Sequence, residues 1–194
     1  MASSAVQIAN LALTRIGQKP ITSLDDTNNA AIHIKVHYDD TRRAVLRTVP
    51  WKFALRRAEL AELVEEPLFE WDHAYQLPSK ALYVVSTSMD SNGRGGTGES
   101  WAVEGRQIVT NAGSPIRIVY IEDVTDVALF DALFVDAFAE RLAAEIVYGI
   151  TKQGAMRDRI LQVYAAKIEN AAAVDGQQGT QDVLESNQLI DVRA

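Results

Sequence analysis

From Ala128 to Thr151 apolar side chains recur so densely that a helix drawn through them has almost no polar face: Leu129, Phe130, Leu133, Phe134, Ala137, Phe138, Leu142, Ile146, Val147 and Ile150. A helix that is apolar on most sides is stable only when other elements surround it. This segment is therefore expected to be the spine of the core, and the rest of the chain must supply its neighbours. With 194 residues there is enough chain to do so. Area scaling lets a chain of this size bury about 70% of its unfolded surface in one domain. No cysteine is present, which excludes disulfides, thiolate metal sites and a cysteine nucleophile. No apolar run approaches the ~20 residues of a membrane span, and the opening MASSAVQIANLALTRIGQ lacks the basic start of a signal peptide. The expectation is a soluble protein made in a cytoplasm, without membrane insertion.

The neighbours follow from periodicity. Ser3 or Ser4 can cap a first helix with Ala5, Ile8, Ala9, Ala12 and Ile16 at helical spacing, stopped by Gly17 and Pro20. Asp25, Asp26, Thr27 and Asn28 offer a second N-cap, and Ile34, Tyr38, Val45 and Val49 share a face up to Pro50, where helical angles become unfavourable. The pattern then shifts to short β-branched and aromatic runs: Lys52 to Leu60, Ala74 to Leu77, Ala81 to Ser88, Trp101 to Glu104, Gln107 to Thr110 and Ile116 to Ile121. Glu104-Gly105-Arg106 suits a tight hairpin turn, because glycine reaches positive φ at little steric cost. The small-residue stretch SNGRGGTGES reads as a mobile hairpin tip. After the apolar spine, Met156 to Val174 is an amphipathic helix with Ile160, Val163, Tyr164, Ala166 and Ile168, ending at Gly176. The fold class predicted is α+β: a bundle of two N-terminal and two C-terminal helices with an inserted antiparallel β subdomain. Its boundaries are 1–50 and 123–175 for the helical body, 51–122 for the insertion and 176–194 for an extended tail. That tail is polar and aperiodic apart from Val183, Leu184, Leu189 and Ile190, which suits a segment that orders on a partner.

Catalytic and cofactor motifs are weak. Gly93-x-Gly95-x-x-Gly98 spells the dinucleotide fingerprint, but a strand rather than a helix is expected after it, so no helix N-terminus can hold a pyrophosphate. No Lys-Ser or Lys-Thr follows to make a phosphate loop. His33 and His37 stand four apart on one helix, yet the position after His33 is Ile34 where a zincin has its glutamate, and no third ligand is identifiable. Glu65, Glu66, Glu70 and Asp72, beside Phe69 and Trp71, would suit glycosidic cleavage if one acid were held protonated in an apolar pocket. A serine triad lacks support, since His73 is the only other histidine and there is no nucleophile elbow. No cofactor or metal is predicted.

Charge carries more information. The formal net charge is −7, which disfavours a nucleic-acid grip. Between Thr41 and Ala58 lie six bases and no acid, namely Arg42, Arg43, Arg47, Lys52, Arg56 and Arg57. Between Ile118 and Glu140 lie six acids and no base, namely Glu122, Asp123, Asp126, Asp131, Asp136 and Glu140. Either the blocks pair or face solvent within one chain, or they meet across a subunit boundary and set its register. Arg42, Arg43, Arg47, Arg56, Arg57, Asp126, Asp131 and Asp136 are the candidates for such an interface.

Four stretches, IANLALTRIGQKPITSLDD, YDDTRRAVLRTVPWKFALRRAEL, PLFEWDHAYQLPSKALYVV and LFDALFVDAFAERLAAEI, together resemble the tail tubular protein A family of tailed bacteriophages. The resemblance spans about residues 6–150; its most specific parts are Arg43 through Trp51-Lys52-Phe53-Ala54 and the string Ala74-Tyr75-Gln76-Leu77-Pro78. It implies a non-enzymatic structural virion protein with a mainly helical body and a β subdomain. Such adaptors form a ring, typically a dodecamer, at the head–tail junction, between the portal protein and the tail nozzle or tube. Double-stranded DNA passes through as transient cargo, and the protein is made in the host cytoplasm. Lys80 stands where the family usually has Asp, which affects a surface contact rather than the fold. Residues 176–194 would then lie against the portal or an adjacent adaptor. The alternatives are a virion-associated peptidoglycan hydrolase using Glu66, Glu70 and Asp72, and a bacterial or prophage domain that binds some other protein.

Overall fold

The computed structural model describes residues 4–90, 98–113 and 115–177. Gly93 and Gly95 of the glycine-rich stretch, and Val183, Leu184, Leu189 and Ile190 of the tail, lie outside the described residues.

Among the described residues there are four helices, three of them packed around the predicted spine. Helix α1, Ala5–Arg15, opens on the side chain of Ser4, which accepts from the Gln7 amide. Helix α2, Asn29–Leu46, opens on Asn28, which accepts from the Ala31 amide at 2.9 Å. It stops before the predicted Pro50 because its last carbonyls find other donors. Both the Thr48 hydroxyl and the Trp51 indole N–H donate to the Val45 carbonyl, at 2.7 and 2.9 Å. Helix α3 is Ala132–Thr151, later than the Ala128 start expected from apolar spacing. Asp131 accepts from the Leu133 amide and caps the helix there, whereas Val127–Leu129 is a separate 3-10 turn capped by Asp126. Lys152, at φ 61°, turns the chain into α4, Gly154–Gln177. Gly176 does not end that helix; a glycine inside a helix costs only about 1 kcal/mol relative to alanine.

Helix α3 packs against α1, α2 and α4, as an all-round apolar helix must. Phe134 is fully buried at the hub of an aromatic cluster, with ring centroids 5.2 Å from Trp51, 5.1 Å from Phe53, 4.8 Å from Phe130 and 5.8 Å from Phe138. Gly149 permits close approach of α2: a Cβ there would lie 2.5 Å from the His33 ring.

Between α2 and α3 the described residues build two three-stranded antiparallel sheets. Strands are β1 Leu55–Leu60, β2 His73–Gln76, β3 Ala81–Thr87, β4 Trp101–Glu104, β5 Gln107–Thr110 and β6 Ile116–Glu122. Lys52–Ala54, predicted to begin β1, is instead a 3-10 turn. One sheet runs β1-β6-β3 and the other β2-β5-β4. The β4–β5 hairpin closes through Gly105 at φ 59° and Arg106, with Glu104 opposite Gln107. Alternation in the first sheet serves two cores. Leu55, Tyr83 and Ile121 join the helical core, while Leu60, Ala81, Ile116, Ile118 and Tyr120 face Tyr75, Leu77 and Ile108 of the second sheet. The sandwich is thus rooted in the helical body at one end of β1 and extends away from it at the other.

Candidate functional site

The structure brings most of the opposite charge blocks together within one chain. Arg42 is almost fully buried; its guanidinium donates to the Asp123 carboxylate and, at 2.8 Å, to the Val124 carbonyl. Arg43 Nε donates to the other Asp123 oxygen at 3.0 Å. Burial pushes the Asp123 carboxyl up, but hydrogen bonds from Arg42 and Arg43 and their positive charge outweigh it and hold the group below its ordinary value. Arg56 pairs with Glu122 at 2.9 Å. Arg47 donates to the Leu82 carbonyl and lies over the Tyr83 ring at 5.9 Å. The Arg42, Arg43 and Arg47 contacts join the end of α2 to the first sheet and clamp the sandwich to the helices, while Arg56–Glu122 crosses from β1 to β6 within the sheet. A second cluster ties three helices together: Arg15 of α1 and Lys167 of α4 both reach Asp136 and the buried Glu140 of α3, Lys167 at 2.9 and 2.7 Å.

Of the interface candidates, Arg42, Arg43, Arg47, Arg56 and Asp136 are therefore engaged inside the chain, and Asp126 and Asp131 cap helical turns. Arg57 is exposed and has no ion pair among the described residues. Their pairing is the intrachain alternative of the two that spacing left open. Tyr38, between these charges and the core, is 8% exposed and meets Phe138 edge to face, with ring centroids 5.0 Å apart. Burial raises its hydroxyl to about 12, and that hydroxyl has no hydrogen-bond partner among the described residues.

The motifs for chemistry are dispersed. His33 packs against Gly149, and His73 meets Glu62 at 2.7 Å. Among the described residues no group of three or more His, Cys, Asp or Glu is placed to hold a metal ion, and no helix is long and apolar enough to cross a membrane. Glu65, Glu66, Glu70 and Asp72 are all exposed, so none sits in the apolar pocket that a protonated general acid requires.

The same acids surround a feature that spacing did not reveal. In the 61–72 loop between β1 and β2, Val64 is fully exposed, Leu68 is 97% exposed and Phe69 is 73% exposed. Val103 of edge strand β4 adds another half-exposed apolar side chain. The loop is tied down at both ends. The Leu63 amide donates to the Ala74 carbonyl at 2.8 Å, and the Asp72 amide donates to Asn111 Oδ1 at 2.9 Å. Glu70 takes a left-handed φ of 70°, a conformation held at a cost by its surroundings. A cleft of about 370 Å³ lies beneath, lined by the loop and by Ala74, Glu104, Gln107 and Val109. The sequence signal was the mixture itself: Val-Glu-Glu-Pro-Leu-Phe-Glu fits neither a helical nor a strand period.

A second concavity, about 270 Å³, lies in the helical body between the 3-10 turn before β1 and the ends of α3 and α4; Trp51, Lys52, Phe53, Asp131, Leu133, Ala171 and Val174 line it. A third, more open groove of about 530 Å³ separates α1 from α3 beside the half-exposed Leu11.

No protein-family model matches the chain, and no curated protein matches it.

Proposed function

We propose that this chain is a structural virion protein of tailed bacteriophages: an adaptor subunit that forms a ring joining the portal to the tail nozzle or tube and lining part of the DNA ejection channel. The observation that carries the reading is the braced 61–72 loop, which holds Val64, Leu68 and Phe69 out in solvent at the end of the sandwich away from the helices. Large apolar side chains held out in this way mark a surface made to be covered by another protein. The charged clamp at the root of the sandwich supports the same role, because an adaptor must transmit position between two neighbours. The residues that carry the family resemblance are framework residues here. Trp51 is buried against Phe134, and the Tyr75 hydroxyl donates to the Ala112 carbonyl at 3.0 Å inside the sandwich. A net charge of −7 repeated around a ring repels phosphate and favours passage of DNA over capture.

The test is recruitment. The purified chain added to portal-containing heads should co-sediment with them and allow tail proteins to follow; heads that take up tail proteins equally well without it would overturn the reading. Removing residues 176–194 should leave a folded chain that does not join the heads.

A further inference from the structure

We infer that the apex of the 61–72 loop in one copy, Leu68 and Phe69, seats in the groove formed by Trp51, Lys52, Phe53, Leu133 and Val174 of a second copy, so that copies associate head to tail. The inference deepens the ring reading above and rests on it. Three observations choose this occupant.

The first is reach. Lys52 and Phe53 precede β1 and the loop follows it, so six residues of strand, about 20 Å at ~3.3 Å per residue, separate groove from loop. The loop is fastened to Ala74 and Asn111 and therefore cannot fold back onto its own groove. The second is size. A cavity of ~150 Å³ suffices for a benzene ring, and the groove offers about 270 Å³. The third is charge. Among the described residues, Glu65, Glu66 and Glu70 are exposed and form no ion pair, and neither do the exposed Lys52 at the groove and Arg57 on β1. Asp131, the groove's own acid, is engaged at the start of α3, where it accepts from the Leu133 amide at 2.8 Å. Carboxylates around an apolar apex meeting the Lys52 ammonium beside Leu133 and Val174 would set both register and orientation. Because loop and groove are different patches, the contact is heterologous, and repeated heterologous contacts close into rings or extend as filaments.

The chain has no cysteine, which makes cross-linking clean. In the full chain, Leu68→Cys combined with Val174→Cys should give a ladder of covalent oligomers on mild oxidation, while either single variant stops at dimer. Phe69→Asp, at an exposed position, should leave thermal unfolding unchanged and weaken self-association at least tenfold in sedimentation velocity. If the wild type assembles but the double variant gives no ladder and Phe69→Asp assembles normally, the contact lies elsewhere and the ring reading survives. If the wild type stays monomeric to its solubility limit, the contact between copies is overturned, while recruitment to portal-containing heads still decides the adaptor reading.

Discussion

Arg42 is the residue on which the junction between helices and sandwich most depends. Its side chain is only 3% exposed, and it donates to the Val124 carbonyl and, together with Arg43, to Asp123. In Arg42→Met, Asp123 keeps Arg43 at 3.0 Å but loses its buried partner. Breaking a buried pair by removing one member costs about 3–5 kcal/mol. The surviving contact with Arg43, itself about half exposed, places the expected loss near ~3 kcal/mol. For a chain of this length each kcal/mol moves Tm by roughly 2–4 °C, so Tm should fall by roughly 6–12 °C. Thermal unfolding by far-UV circular dichroism, with urea titration for the free energy, measures it. The pH dependence adds a sign. The Asp123 carboxyl is held below its ordinary value of 3.8, so its stabilisation is fully present above that value and is lost as pH falls through the lower folded value. Asp26, lowered by backbone N–H bonds from Thr22 and Ser23, contributes in the same window and remains as background. Asp123→Asn should therefore flatten the acid limb only in part. An Arg42→Met loss below about 0.5 kcal/mol, the level of an ordinary surface change, would refute the clamp.

Three further outcomes follow from the same geometry. Tyr38→Phe removes a buried hydroxyl that has no partner among the described residues and should leave stability unchanged or raise it by about 1 kcal/mol in urea titration; a loss of that size would show that the hydroxyl is satisfied. Phe134→Ala empties the hub of the aromatic cluster and should destabilise by about 3–5 kcal/mol, read as a lowered urea midpoint. On a peptidoglycan zymogram the wild type should give no cleared band; a band abolished by Glu70→Gln would favour the hydrolase alternative.

Elements whose signals are local were legible. Strands β4 and β5 run over the residues that alternation and Gly105 mark out, and Asn28 starts α2 from within the predicted cap. The start of α3 was not, because Asp131 reads as one acid among several until its carboxylate is seen to accept from the Leu133 amide. Arg42 and Asp123 are 81 positions apart, so the opposite signs of their blocks were visible but not whether they meet inside one chain. The exposed loop was hidden for a related reason. Leu68 and Phe69 have the composition of core residues, and only the closing of the sandwich elsewhere leaves them outside.

Cryo-electron microscopy of virions containing this chain tests an adaptor role at the head–tail junction most directly. The expected result is a ring of copies, typically twelve, between portal and tail, with DNA density on its axis. Density for the chain anywhere else in the particle, or none at the junction, would contradict it.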